Sequence, residues 1–278
     1  MDDIRKYKLA VCQMDSRDDK EANLREAGRM IAEAAAMGAD VVAFPENMAY
    51  AGRGLRSQAE DIPGPVTDYL CKMAAEHQIW VMSGTFPETD PSGKTRNTLV
   101  LIGPEGQIRA RYSKLHMFDV MVGEPTEHVE SKSVVPGDAV TVVDTPFGRW
   151  GFAICYDLRF GELFRLQALA GAELIFVPSS FTKGTGADHW QVLLRARAIE
   201  NGLYIAAPDQ TGTKQTMLAY GKSMIIDPWG DVLAGAGDHT GIIMAEIDRD
   251  YLQQVRRRIP SLANRREDIY QLTGRGMN

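Results

Sequence analysis

The sequence predicts an α/β protein with four layers, ordered helix, sheet, sheet, helix. Three observations lead there. Short apolar runs alternate with segments of helical periodicity, the strands are neither strictly alternating nor wholly apolar, and the two halves run through similar motifs in the same order. Strands covered by helices on one face and by a second sheet on the other have this intermediate character. An open doubly wound sheet holding a dinucleotide fits less well. No strand is followed by G-x-G-x-x-G, and "KGTGADHW" lacks the third glycine.

Element by element, "KLAVCQM" reads as a buried strand. The next segment places Leu24, Ala27, Met30, Ile31, Ala34 and Ala35 on one helical face and closes on a glycine. "VVAFPE" is a second strand stopped by Pro45, a helix follows from about Val66 to Glu76, and "IWVMSGTF" is the third strand. "NTLVLIG" and "QIRARYSK" flank the hairpin turn "PEGQ". In the second half, "WGFAICYD" is a strand, "ELFRLQALAGA" a helix, "LIFVPSS" a strand and "HWQVLLRARAIE" a helix. "LYIAAPDQ", "KSMIIDPWGDVLA" and "GIIMAEID" add strands, and "DYLQQVRRRIP" is a charged helix before the tail. In each half a strand containing Cys leads through a helix to a strand ending in Pro: Cys12 to Pro45 and Cys155 to Pro178. That is either an internal duplication or the chance pairing that any α/β chain offers. No linker-like composition separates the halves, so residues 1–278 read as one domain.

The bulk numbers narrow the classes. A net charge of -6 argues against a nucleic-acid partner, which asks for a basic face. No apolar run approaches the length of a membrane span, and the charged "MDDIRKYK" is no signal peptide. Three cysteines, Cys12, Cys71 and Cys155, make no disulfide framework and have no zinc-site spacing. The expectation is a cytoplasmic protein with no metal.

Chemistry concentrates where strands end. Glu46, in "FPEN", is a helix cap, a loop charge or a catalytic carboxylate. Lys114 closes "RARYSK", and Glu130 lies in "VESKSVVPG"; each alone reads as solvated charge. Cys155 ends a strand just ahead of a helix, where amide donors and the helix dipole would stabilise a thiolate and lower the thiol pKa. Buried cysteine is also a common core residue. Cys12 has a similar run, but a charged loop separates it from its helix, and Cys71 has core spacing. A thiol, a carboxylate and an ammonium converging at one sheet edge can transfer an acyl group from an amide. A Cys–His pairing through His116 is the weaker alternative.

"FPEN", "YSKLHMFD" and "GFAICYDLRF", in that order and spacing, resemble the three signature blocks of the nitrilase (carbon–nitrogen hydrolase) superfamily, and the likeness covers nearly the whole chain. The resemblance implies an αββα sandwich with an internal pseudo-twofold, no cofactor, and a homodimer or larger even-numbered homo-oligomer. The tail from about 251 to 278 would lie at the dimer interface. It implies Glu46 as general base and then acid, Lys114 as stabiliser of the tetrahedral intermediate, Cys155 as nucleophile and Glu130 as support for the lysine. The Tyr156 amide would complete the oxyanion site. "CYDLRF" looks like the amidase branches, and "HVESKSVVPG", "DHWQVLLRARAIE", "SMIIDPWG" and "IPSLANRREDIY" together look most like omega-amidases and deaminated-glutathione amidases. Arg159 would then bind a substrate carboxylate or, alternatively, pair with Asp157 or Glu162; Phe181 and Thr185 would line the same pocket. Gly161, Asp188 and Lys222 depart from that branch's usual residues. An N-carbamoyl amide hydrolase, an aliphatic amidase and a catalytically silent scaffold are the other readings.

Overall fold

A computed structural model describes residues 4–121, 127–215 and 217–276. The first half gives β1 (Lys6–Gln13), α1 (Lys20–Ala36), β2 (Val41–Ala43), α2 (Pro65–His77), β3 (Trp80–Met82), β4 (Phe86–Thr89), β5 (Thr95–Ile102) and β6 (Ile108–Ser113). A short ribbon, β7 (Asp119–Met121) with β8 (Glu127–Val129), leads to the second half. That half contains β9 (Val142–Thr145), β10 (Gly148–Phe152), α3 (Gly161–Leu169), β11 (Leu174–Phe176), α4 (Lys183–Asn201) and β12 (Tyr204–Ala207). A second ribbon, β13 (Thr211–Thr213) and β14 (Leu218–Tyr220), precedes β15 (Met224–Ile226), β16 (Val232–Gly235), β17 (Gly241–Asp248) and α5 (Arg249–Arg258).

The strands form two sheets. One runs β17-β1-β2-β3-β5-β4, with β6 also on β5; the other runs β16-β15-β12-β11-β10-β9. In each, three parallel strands joined by two helical crossovers (β1-β2-β3 and β10-β11-β12) are flanked by antiparallel strands. The repetition between the halves is therefore a repeat of topology. Alternation along β1 shows the layering. Leu9 and Val11 enter a core shared with Trp150, Phe152 and Phe176 of the other sheet. Ala10 and Cys12 turn the other way, onto Ala27, Met30 and Ile31 of α1. Between the sheets Phe147 stacks on Trp150 at 5.7 Å, Trp80 meets Trp150 edge-on at 5.8 Å, and the Trp150 indole N–H donates to the Tyr7 hydroxyl at 3.2 Å. This is the expected four-layer sandwich. No helix among the described residues is long and apolar enough to cross a membrane.

Three local expectations need correction. "IWVMSGTF" is two strands, broken at Gly84, which has φ of +68° and leaves a Cβ only 2.2 Å from the Pro45 carbonyl oxygen. The close approach serves the site, because Thr85 just beyond accepts a hydrogen bond from the Asn47 amide at 2.9 Å. α4 starts earlier than its apolar pattern, taking in "KGTGAD", since Gly186 packs where a Cβ would meet the Tyr220 ring at 2.4 Å. Cys71 is only half-buried, at the margin of the core.

The fourth correction concerns the two cysteines. The pairing Leu9 with Val41 sets Cys12 opposite Phe44, one residue before Pro45. The pairing Trp150 with Leu174 sets Cys155 opposite Ser179, one residue after Pro178. The similar sequences are thus two residues out of step in space. Cys12 sits within β1, fully buried under helices, where burial pushes its thiol pKa far up. Cys155 lies beyond the end of β10 on a one-turn 3-10 segment, at φ of +48°. Cys12→Ala is expected to cost about 1 kcal/mol of stability, the value of one buried heavy atom, and to keep most activity. Urea unfolding midpoints and ammonia-release assays on the purified variant check both halves of that statement.

Candidate active site

Four chain segments end at one edge of the sandwich. Glu46 follows β2, Lys114 follows β6, Glu130 opens the turn after β8, and Cys155 opens the turn after β10. The Lys114 ammonium lies 3.3 Å from Glu46 Oε1 and 3.1 and 2.9 Å from the two oxygens of Glu130. Lys114 is 2% exposed and Glu46 4%. Burial alone would lower the lysine pKa, but the two carboxylates outweigh it and hold the ammonium above its ordinary range. The backbone fixes the cation as well: the Lys114 amide donates to the Asn97 carbonyl at 2.9 Å.

Glu46 is gripped from three sides. Asn97 Nδ2 donates to Oε1 at 2.8 Å, the Ser180 amide donates to Oε2 at 2.9 Å, and Gln210 Nε2 donates to the Glu46 backbone carbonyl at 2.9 Å. Gln210 is itself held by Ser16 and by the buried Lys214 ammonium. Glu130 accepts from the Phe118 amide at 2.6 Å as well as from Lys114.

The Cys155 thiol faces the Glu46 carboxylate, the Lys114 ammonium and the Ser180 amide. Its amide donates to the Pro178 carbonyl at 3.0 Å, so the turn is stitched to β11 even though the residue has left extended geometry. Burial, and next the Glu46 charge, push the thiol pKa well above its usual value; Lys114 and the Ser180 amide oppose this without overcoming it. The expected lowering by a helix N-terminus is overturned. The turn after Cys155 is too short to set up a strong dipole, and a carboxylate stands against the sulfur. The resting group is therefore a thiol beside a base.

All eight residues singled out from sequence line one cavity of about 680 Å³. The Tyr156 ring meets Phe118 edge-on at 5.2 Å and Phe160 at 5.4 Å. Arg159 makes neither of its two local ion pairs. Both Asp157 oxygens are taken, by Tyr112, the Ile154 amide and His116, and no carboxylate among the described residues pairs with the guanidinium. It lies instead 5.9 Å from the Tyr156 ring and 5.5 Å from that of Phe181, with one nitrogen 3.2 Å from His189 Nδ1. His116 is committed elsewhere: Nδ1 is 2.7 Å from Asp157 Oδ1 and the ring stacks on Phe160 at 3.6 Å. Of the residues that depart from the branch pattern, Lys222 pairs with Asp238 at 2.6 Å, Asp188 borders a groove on the outer face of α4, and Gly161 lies against Arg197. None of the three lines the cavity.

Sequence reasoning missed Asn97, Ser180 and Gln210. The one usable signal was Asn97, a polar residue of low strand propensity inside the apolar run "NTLVLI".

Comparison with known proteins shows the family. The carbon-nitrogen hydrolase family model matches residues 8–257. A deaminated glutathione amidase of Synechocystis sp. is 44% identical over 94% of this chain and 99% of its own length. The omega-amidase NIT2 of Homo sapiens is 39% identical over 95% of this chain and 96% of its own. Among solved structures, the C. elegans NitFhit protein superposes with a TM-score of 0.90 at 36% identity, covering 98% of this chain and 68% of that one. Saccharomyces cerevisiae Nit3, a member of the nitrilase superfamily, superposes with a TM-score of 0.85 at 31% identity, covering 95% and 97%. The chain belongs to the carbon-nitrogen hydrolase family and is a hydrolase acting on carbon–nitrogen bonds.

Proposed function

We propose that the protein is a cysteine amidase that cleaves a small linear amide bearing a carboxylate, of the 2-oxoglutaramate or deaminated-glutathione type. The observation that supports it most is the Lys114 ammonium clamped between Glu46 and Glu130 beside the Cys155 thiol, in a cavity also lined by Arg159, whose guanidinium pairs with no carboxylate among the described residues. One amidase relative is named for deaminated glutathione, and the other is named an omega-amidase.

In this reading Glu46 takes the Cys155 proton as sulfur attacks the amide carbon. The carbonyl oxygen becomes an oxyanion held by the Lys114 ammonium and the Tyr156 amide, while Glu130 keeps the ammonium in place. Collapse breaks the C–N bond, and protonated Glu46 delivers its proton to the departing nitrogen. A thioester on Cys155 remains. Glu46 then deprotonates a water that attacks the thioester, and the sulfur leaves as a thiol with the proton returned to it. Arg159 holds the substrate carboxylate as two parallel hydrogen bonds, with Phe181 and Thr185 lining the acyl portion. Residues 1–278 act as one domain. The three free cysteines fit a cytoplasmic setting.

Exposed apolar residues support an oligomer. Val192 and Ile199 on α4, and Ile259, Ile269 and Tyr270 of the tail, stand in solvent in the single chain. They support a homodimer that buries α4 and the tail. Light scattering after gel filtration is expected to give twice the chain mass; a monomer at micromolar concentration sinks this part.

Cys155→Ala is expected to reduce ammonia release to background while the circular dichroism spectrum and melting temperature stay near wild type; retained turnover would sink the mechanism. A substrate panel sharpens it: 2-oxoglutaramate and deaminated glutathione should exceed N-carbamoyl-β-alanine and simple aliphatic amides. Arg159→Ala should raise KM for the first two by about tenfold, the cost of one lost partly exposed ionic contact. Glu46→Gln carries the electrostatic test. The Glu46 charge disfavours the thiolate, so its removal should shift site-resolved alkylation of Cys155 to lower pH even as turnover collapses. An unchanged or raised alkylation midpoint contradicts the assignment.

A further inference from the structure

The loop Ala51–Leu55 borders the same cavity as the thiol. Its sequence is "AGRGL", and the backbone around Arg53 is held on both sides. The Arg53 amide donates to Gln215 Oε1 at 3.1 Å, and its carbonyl accepts from the Tyr50 hydroxyl at 2.8 Å. Neither neighbouring glycine is replaceable without movement. A Cβ on Gly52 would sit 2.6 Å from the Tyr50 hydroxyl and 2.7 Å from Asp18 Cβ, and Gly54 has φ of +76°. The backbone is thus fixed, while no carboxylate among the described residues pairs with the exposed Arg53 guanidinium that lines the cavity.

Reaction geometry separates two parts of the substrate. The acyl part of the substrate and the departing nitrogen leave the attacked carbon in different directions. Arg159 stands on the turn that carries Cys155, against Tyr156 and Phe181. Glu46, which must hand its proton to the nitrogen, belongs to the other sheet, and the chain beyond Glu46 is the Arg53 loop. The amine side of the substrate therefore extends toward Arg53. Volume agrees. At the ~30 Å³ that a water occupies in the liquid, a primary amide of about ten non-hydrogen atoms fills about 300 Å³. That is less than half of the 680 Å³ present.

Resting on the amidase reading above, we infer that Arg53 and its loop form a leaving-group subsite that binds a carboxylate on the amine portion of the substrate. The substrate class this selects is an oxoacyl amide whose nitrogen carries a short peptide with a free C-terminus, anionic at both ends. A primary amide enters the same site but leaves this end filled by water.

Three substrates test the subsite: deaminated glutathione, its C-terminal carboxamide, and 2-oxoglutaramate. Wild type is expected to favour the free acid over the carboxamide by about tenfold in kcat/KM, through KM. Arg53→Gln should bring the two together and lower the ratio of free acid to 2-oxoglutaramate by a similar factor. Arg53→Lys should restore part of the preference, because a point charge still attracts a carboxylate but cannot bind it in parallel. The exposed side chain makes these variants safe for folding, which a melting curve checks. A wild type without preference for the free acid, or an Arg53→Gln enzyme that keeps it, overturns the subsite and leaves the amidase reading standing. A wild type that hydrolyses none of the three overturns both.

Discussion

A buried ammonium between the buried Glu46 carboxylate and the part-buried Glu130 carboxylate is the constraint on which the rest of the site depends. Lys114, Glu46 and Glu130 come from three separate strand ends, and none tolerates its position alone. Desolvation of a lone ion costs several kcal/mol, and removing one partner of a buried pair costs roughly 3–5 kcal/mol because the other charge is stranded. The trio carries one positive and two negative charges. Moving the Cys155 proton to Glu46 keeps that total and only relocates a negative charge from oxygen to sulfur, both beside the same ammonium. The protein never has to desolvate a new ion during the first step of the proposed reaction. A site built this way needs no preformed thiolate, which accounts for a nucleophile whose resting pKa is raised.

Much of this was legible in the sequence, for a simple reason. Strand ends marked by proline or by a polar residue after an apolar run place side chains at a sheet edge, so local pattern put Glu46, Lys114 and Cys155 each at a strand end, and the family resemblance joined them into one site. The four-layer arrangement followed from strands with intermediate apolar character. What stayed hidden depended on contacts between distant segments. Asn97, Ser180 and Gln210 hold Glu46 across sequence separations of 51, 134 and 164 residues, and nothing in their own surroundings says so. The fate of Arg159 was hidden likewise, because its local partner Asp157 is consumed by Tyr112 and His116 from another strand.

The two cysteine runs show where pattern misleads. Their strings match, yet the strand registers differ by two residues, so one sulfur remains within a strand under helices while the other passes the end of its strand. Topology repeats between the halves; the chemistry does not. Ionisation was misjudged for a related reason. A cysteine ahead of a helix suggests an acidic thiol, but burial, and next a carboxylate from the other sheet, push the pKa the other way, and neither is visible in the local string.

That division of labour between sheets gives the aromatic contacts in the core a second meaning. The proposed base hangs from one sheet and the proposed nucleophile from the other, so the gap between sulfur and oxygen is a property of how the sheets are mounted. The stacked Phe147 and Trp150, locked to Trp80 and Tyr7, act as a spacer that sets this mounting. Reacting groups misplaced by about 1 Å can lose about 10²-fold in rate. The interior of the sandwich is therefore a calibration element of the reaction, and its tolerance to repacking is bounded by proton-transfer distance sooner than by the free energy of unfolding.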